Sequence, residues 1–84
     1  MDQPDENELL FENEAIFSGK TSPNLEILIM SDLRDFVIKS DLAGKFSTVV
    51  ELKEGPNKIT AVVFDIEGDS RSAERNVYYS EEKL

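Results

Sequence analysis

Apolar residues along this chain fall into short runs separated by turn-forming residues at intervals of about 8–12 positions, the spacing of an all-β protein. Leu9-Leu10-Phe11 is the first run and Ala15 to Thr21 the second, broken by Ser22-Pro23-Asn24. Leu25 to Met30 follows, then the polar turn Ser31 to Asp35, with Phe36 to Ser40 returning as its hairpin partner. Asp41 to Gly44 turns the chain into Lys45 to Leu52. Lys53-Glu54-Gly55-Pro56-Asn57 is the strongest breaker, because Gly-Pro is not expected inside a central strand. Lys58 to Asp65 is a long β-branched run, Glu67-Gly68-Asp69 turns it, and Arg71 to Tyr79 closes the series. A helix fits only Asp5 to Glu14, where neighbouring acids repel one another. About seven short strands in one small domain predict a two-sheet sandwich.

Strand side chains alternate between faces, so parity assigns a core. Ala15, Phe17 and Gly19 share one face, as do Leu25, Ile27 and Ile29. Phe46, Thr48, Val50 and Leu52 align, then Ile59, Ala61 and Val63, with Val77 and Tyr79 from the last strand.

The 84 residues allow one domain, at a size where a single core suffices without staples. Neither Cys nor His occurs, which removes disulfides and the usual zinc ligands. A net charge of −9 and a pI near 4.3 argue against nucleic acid and anionic lipid as partners. No apolar run reaches the roughly 18 residues of a membrane span, so direct membrane insertion is not expected. The opening residues are acidic and lack the basic and apolar regions of a secretory signal. Two settings remain open on this reading, a cytoplasmic protein or a module cut from a longer exported chain. The polar ends favour the module, with residues 1–8 as linker, 9–80 as the domain and 81–84 as tail or linker.

Phe17-Ser18-Gly19-Lys20-Thr21-Ser22-Pro23-Asn24, Gly44-Lys45-Phe46-Ser47, Leu52-Lys53-Glu54-Gly55-Pro56-Asn57-Lys58-Ile59 and Ala61-Val62-Val63-Phe64-Asp65 with Gly68 together resemble the bacterial immunoglobulin-like modules of surface proteins and extracellular glycosidases, the glucodextranase domain B-like group among them. The resemblance implies an immunoglobulin-like antiparallel β-sandwich in an extracellular or cell-envelope protein. Asn24 stands where that family usually has Gly, Asp69 where it often has Asn, and Leu28 and Val62 occupy positions that are commonly Thr-rich. The matched residues specify turns and core, so they carry fold and not ligand.

Candidate chemistry is sparse. Without His the serines and threonines lack their usual activating base, and no catalytic residue or cofactor is expected. Asp65, Glu67 and Asp69 alternate in one loop and are the weak candidates for calcium, although the spacing is not that of an EF-hand. The plainer reading is a solvated acidic hairpin, and no tight site is expected there; Asp32, Asp35 and Asp41 lie in separate turns. Sugar stacking would rest on Phe36 and one of Tyr78 and Tyr79, since adjacent strand residues face opposite ways.

The outward parity of the third and sixth strands is apolar, with Leu28, Met30, Val62 and Phe64. In an immunoglobulin-like topology these strands are neighbours, so the four form one patch. Either Leu9-Leu10-Phe11 covers that patch, or it is an interface with a neighbouring module or a second copy. The expectation is a non-catalytic spacer, adhesion or interdomain support unit whose partners are neighbouring domains or another surface protein. The alternative is an accessory glycan- or ligand-binding domain of an extracellular carbohydrate-active enzyme.

Overall fold

The computed structural model of the chain describes residues 3–81, so of the expected tail 81–84 only Glu81 is described. It is an all-β sandwich of β1 (Glu8–Leu10), β2 (Glu14–Lys20), β3 (Glu26–Met30), β4 (Asp35–Lys39), β5 (Lys45–Glu51), β6 (Gly55–Phe64) and β7 (Ser70–Tyr79). One sheet has the order β1-β7-β6-β3-β4, and the other consists of β2 and β5. All neighbours are antiparallel except β1, which lies parallel to β7 with Leu9 opposite Tyr78.

Alternation explains the packing. The inner face of the small sheet contributes Ala15, Phe17, Phe46 and Val50, and the inner face of the large sheet Ile27, Ile29, Ile59, Ala61 and Val77. Phe17, Ile27, Ile29, Val50, Ile59 and Val77 are wholly buried, and Leu10, Phe36, Ile38, Val63 and Tyr79 pack around them. The parity-derived core is observed in its centre, while Leu25, Thr48, Val63 and Tyr79 are half-buried at its margin and Leu10, Phe36 and Ile38 join it without having been assigned there.

Two polar side chains enter this layer, each with partners. Ser40 Oγ accepts from the Leu25 N–H (2.9 Å) and donates to the Ser22 carbonyl (2.8 Å), tying the two crossovers at one end together. Asn57, 3% exposed, accepts from the Lys53 N–H (3.0 Å) and donates to the carbonyls of Lys53 (2.9 Å) and Gly55 (3.0 Å). Its amide holds the turn from which β6 enters the core.

The Gly55-Pro56 breaker is corrected by this register. Both residues belong to β6, opposite Tyr79 and Tyr78. β3 pairs only with Thr60 to Phe64, so the first half of β6 has no neighbour on that side and a residue lacking an N–H is tolerated there. Part of the expected 1–8 linker also belongs to the folded unit. Gln3 bridges Ser18, Pro4 is buried, and the Asn7 N–H donates to the Asn76 carbonyl (2.7 Å).

The crossovers at 21–25 and 40–44 and the β6–β7 loop lie at one end, since Glu26 is opposite both Lys39 and Phe64 and the Asn24 N–H donates to the Asp41 carbonyl (3.3 Å). Gly44 there has φ +81°, and a Cβ on it would stand 1.9 Å from the Thr21 carbonyl oxygen.

Three substitutions test this packing in denaturant melts. Ile59→Ala should lose about 2–5 kcal/mol by opening a cavity. Asn57→Ala should lose about 1–3 kcal/mol by stranding buried backbone groups. Gly44→Ala should destabilise by at least about 1 kcal/mol through its backbone conformation and the collision with Thr21.

Candidate interaction surface

The outer face of the large sheet carries the apolar patch expected from parity. Leu28 lies directly opposite Val62, which puts their side chains in cross-strand contact range. Phe64 is opposite Glu26 and Met30 opposite Thr60, so these two flank the pair along the strands. Leu28, Met30 and Val62 are half-buried by their neighbours, while Phe64 is 45% exposed. The structure therefore brings all four onto one face.

Sequence reasoning missed how far this row runs. Val37 on β4 is opposite Leu28 on the other side and is 60% exposed, giving the lateral row Val37–Leu28–Val62. The parity of β4 carries that signal, because Val37 alternates with the core-facing Phe36 and Ile38. Ile16 and Val49 form a second outward pair on the small sheet. Leu9, Tyr78 and Pro56 form a third, at the end of the large sheet remote from Phe64.

That last position settles the proposed cover. β1 lies on the far side of β7, opposite Val77 to Tyr79, whereas Val62 and Phe64 lie opposite Ser72 and Ser70. The Leu9-Leu10-Phe11 segment caps an edge and leaves the patch open.

The acidic candidates are turn formers. Asp65 Oδ1 accepts from the N–H groups of Glu67 and Asp69, both at 2.9 Å, and its own N–H donates to the Asp69 carbonyl (3.0 Å). Gly68, at φ +90°, completes that turn. The carboxylate of Asp65 thus holds its loop together, and among the described residues no group of three acids is disposed to hold a metal. Asp32 lies beside Lys53 Nζ (3.4 Å) at the end opposite Asp41, so the second acidic set is not brought together. Tyr79 packs against the core, where burial raises its phenol above the ordinary value, and Tyr78 faces outward. Phe36 is half-buried against the core. Of the three stacking candidates, Tyr78 alone presents an open ring.

Depressions in the surface are shallow and open. One of about 420 Å³ runs along Gln3 to Leu10 and is bordered by Asp5, Glu8, Glu12 and Glu14. Another of about 310 Å³ lies between Arg34, Phe36, Val49 and Glu51, where β4 and β5 flank the gap between the sheets. Neither gathers a nucleophile with a base.

No protein-family model matches the sequence, and no curated protein matches it. Among solved structures, the crystal structure of XAC1771, a novel carbohydrate acetylesterase from Xanthomonas citri, is similar with a TM-score of 0.62 and 20% identity, over 84% of this chain. The chain spans 16% of that protein. Identity at this level shows a shared fold.

The loop at Asp41 supplies a pH test. Its Oδ1 accepts from the N–H groups of Lys45 (2.9 Å) and Ala43 (2.8 Å), and these bonds, that from Lys45 foremost, hold the carboxyl below the ordinary aspartate range. A pKa lower in the folded than in the unfolded state contributes stability that is present above about pH 4 and lost as pH falls through the folded value. Acid titration of stability should therefore show a smaller drop below about pH 4 in Asp41→Asn than in the unaltered chain.

Proposed function

We propose that this domain is a non-catalytic, immunoglobulin-like module of a secreted or cell-surface protein, acting as a spacer or interdomain support. The observation that carries the reading is the open row Val37–Leu28–Val62 with Met30 and Phe64 beside it, on a rigid sheet rather than a loop. Side chains fixed by two ladders present a surface with little entropy left to lose on contact. The split of strands into β1-β7-β6-β3-β4 and β2-β5 supports an immunoglobulin-like arrangement, in which the third and sixth strands are sheet neighbours. The absence of His and Cys from the chain supports a role without nucleophilic or metal chemistry.

A second reading, an accessory glycan-binding domain of a carbohydrate-active enzyme, is favoured by the likeness to part of an acetylesterase. Tyr78 with Leu9 and Pro56 would supply its stacking platform.

The two readings separate by experiment. In the full chain, Val62→Thr with Phe64→Thr should leave the melting of the domain within about 1 kcal/mol of the unaltered protein, since these side chains lie outside the core. The same pair should speed limited proteolysis at the junction with the adjoining segment. Unchanged digestion together with a destabilised sandwich would overturn the support role. Oligosaccharide binding abolished by Tyr78→Ala would establish the second reading in its place.

A further inference from the structure

The two sides of the sandwich are finished differently. On one side the N-terminal segment covers part of each edge: β1 pairs with Val77 to Tyr79 of β7, and Gln3 exchanges backbone hydrogen bonds with Ser18 of β2 (3.2 and 3.0 Å). On the other side β4 and β5 each end a sheet, and among the described residues neither pairs further. A free edge is a template for another strand, so what the open side would accept is set by its own sequence.

We infer that the open β4/β5 side is a homodimer interface, in which each strand pairs antiparallel with its own copy about one two-fold axis. The backbone phase permits it. Ser40 N–H bonds to the Leu25 carbonyl and Ser31 N–H to the Arg34 carbonyl, so the alternating ladder points Phe36 and Ile38 at β3 and the backbone groups of Asp35, Val37 and Lys39 outward. Centred on Val37, the strand Asp35-Phe36-Val37-Ile38-Lys39 is self-complementary: Asp35 meets Lys39 of the copy, Phe36 meets Ile38, and Val37 meets Val37. Opposite charges face each other at both ends, and the apolar pair lies on the core face.

The strand β5 repeats the pattern. The bonds from Thr21 N–H to the Gly44 carbonyl and from Leu52 N–H to the Asn13 carbonyl turn the backbone of Lys45, Ser47, Val49 and Glu51 outward. Centred on Thr48, Lys45 meets Glu51 of the copy and Phe46 meets Val50. The two centres lie on neighbouring stretches of the open side. Arg34 reaches Glu51 across the gap (3.4 Å), and three residues along β4 and three back along β5 stand Val37 and Thr48. The inference places one axis through both centres. That matters because a five-residue ribbon is only about 17 Å long and marginal alone. The inference does not rest on the support role proposed above: it needs the backbone edges of β4 and β5, and it shares with the outer row only Val37.

Sedimentation equilibrium on the intact chain tests it, with circular dichroism confirming that each variant is folded. The unaltered chain should dimerise. Asp35→Lys and Lys39→Asp should each weaken self-association by about tenfold or more, since each sets like charges opposite one another at both ends of the ribbon. Mixing these two variants should restore the dimer as a heterodimer, in which both pairs are again opposite in charge; a purely local role for either residue predicts no such rescue. Val62→Thr with Phe64→Thr should leave the dimer intact. A monomer up to about 1 mM overturns the inference. Mixing without rescue, or dimerisation lost in the Val62/Phe64 variant, overturns it equally.

Discussion

A two-stranded sheet cannot stand alone in water, and β2 and β5 are joined by no hairpin. Their pairing closes a loop that contains β3 and β4, at an entropic cost no local turn offsets. What holds them is the apolar layer beneath, where Phe17, Phe46 and Val50 rest on Ile27, Ile29, Ile59 and Val77. Burial of these side chains, each contributing about 1.5–3 kcal/mol, is what makes the small sheet exist. The crossovers, the tight turns and the disposition of free edges all follow from laying two strands over five.

The crossovers have to leave one sheet, pass over the rim of the core and enter the other without stranding polar groups. Ser40 does this for 21–25 and 40–44 together, because its hydroxyl serves backbone on both. Asn57 performs the same task where β5 gives way to β6. Among the described residues no buried side-chain nitrogen or oxygen lacks a partner. Asp41 and Asp65 shape the loops at one end, each accepting from the backbone N–H groups two and four residues on, so these two of the acids that stand out in the sequence are structural. The ion pairs, such as Lys58–Glu74 at 3.5 Å, are exposed and add little.

Period-two alternation makes the centre of the core legible in the sequence, because Phe17, Phe46, Ile59 and Val77 each sit at the parity that faces inward. It made the outward patch legible for the same reason. Register was not legible. That Val37 extends the row of Leu28 and Val62, and that Pro56 fits inside β6, both depend on which residues lie opposite, and period alone does not set that. The role of Gln3 to Leu10 was hidden too. A polar lead-in has the composition of a linker, and only its hydrogen bonds to Ser18 and Asn76 show that it closes an edge.

A face and an edge differ in what they say about a partner. An apolar face such as Leu28–Val62 offers area, and area is non-directional: many shapes of similar hydrophobicity would satisfy it. Exposed apolar side chains are also common on any small domain, where there is too little polar surface to cover the fold. An edge offers alternating donors and acceptors at fixed spacing, so it admits a strand in one of a few registers and nothing else. When the flanking charges of such an edge are opposite at its two ends, as Asp35 and Lys39 are, those registers narrow to the one that pairs it with itself. The N-terminal segment covers part of one side of this sandwich and none of the β4/β5 side. On the inference drawn from it, the open side specifies not only a partner but its orientation.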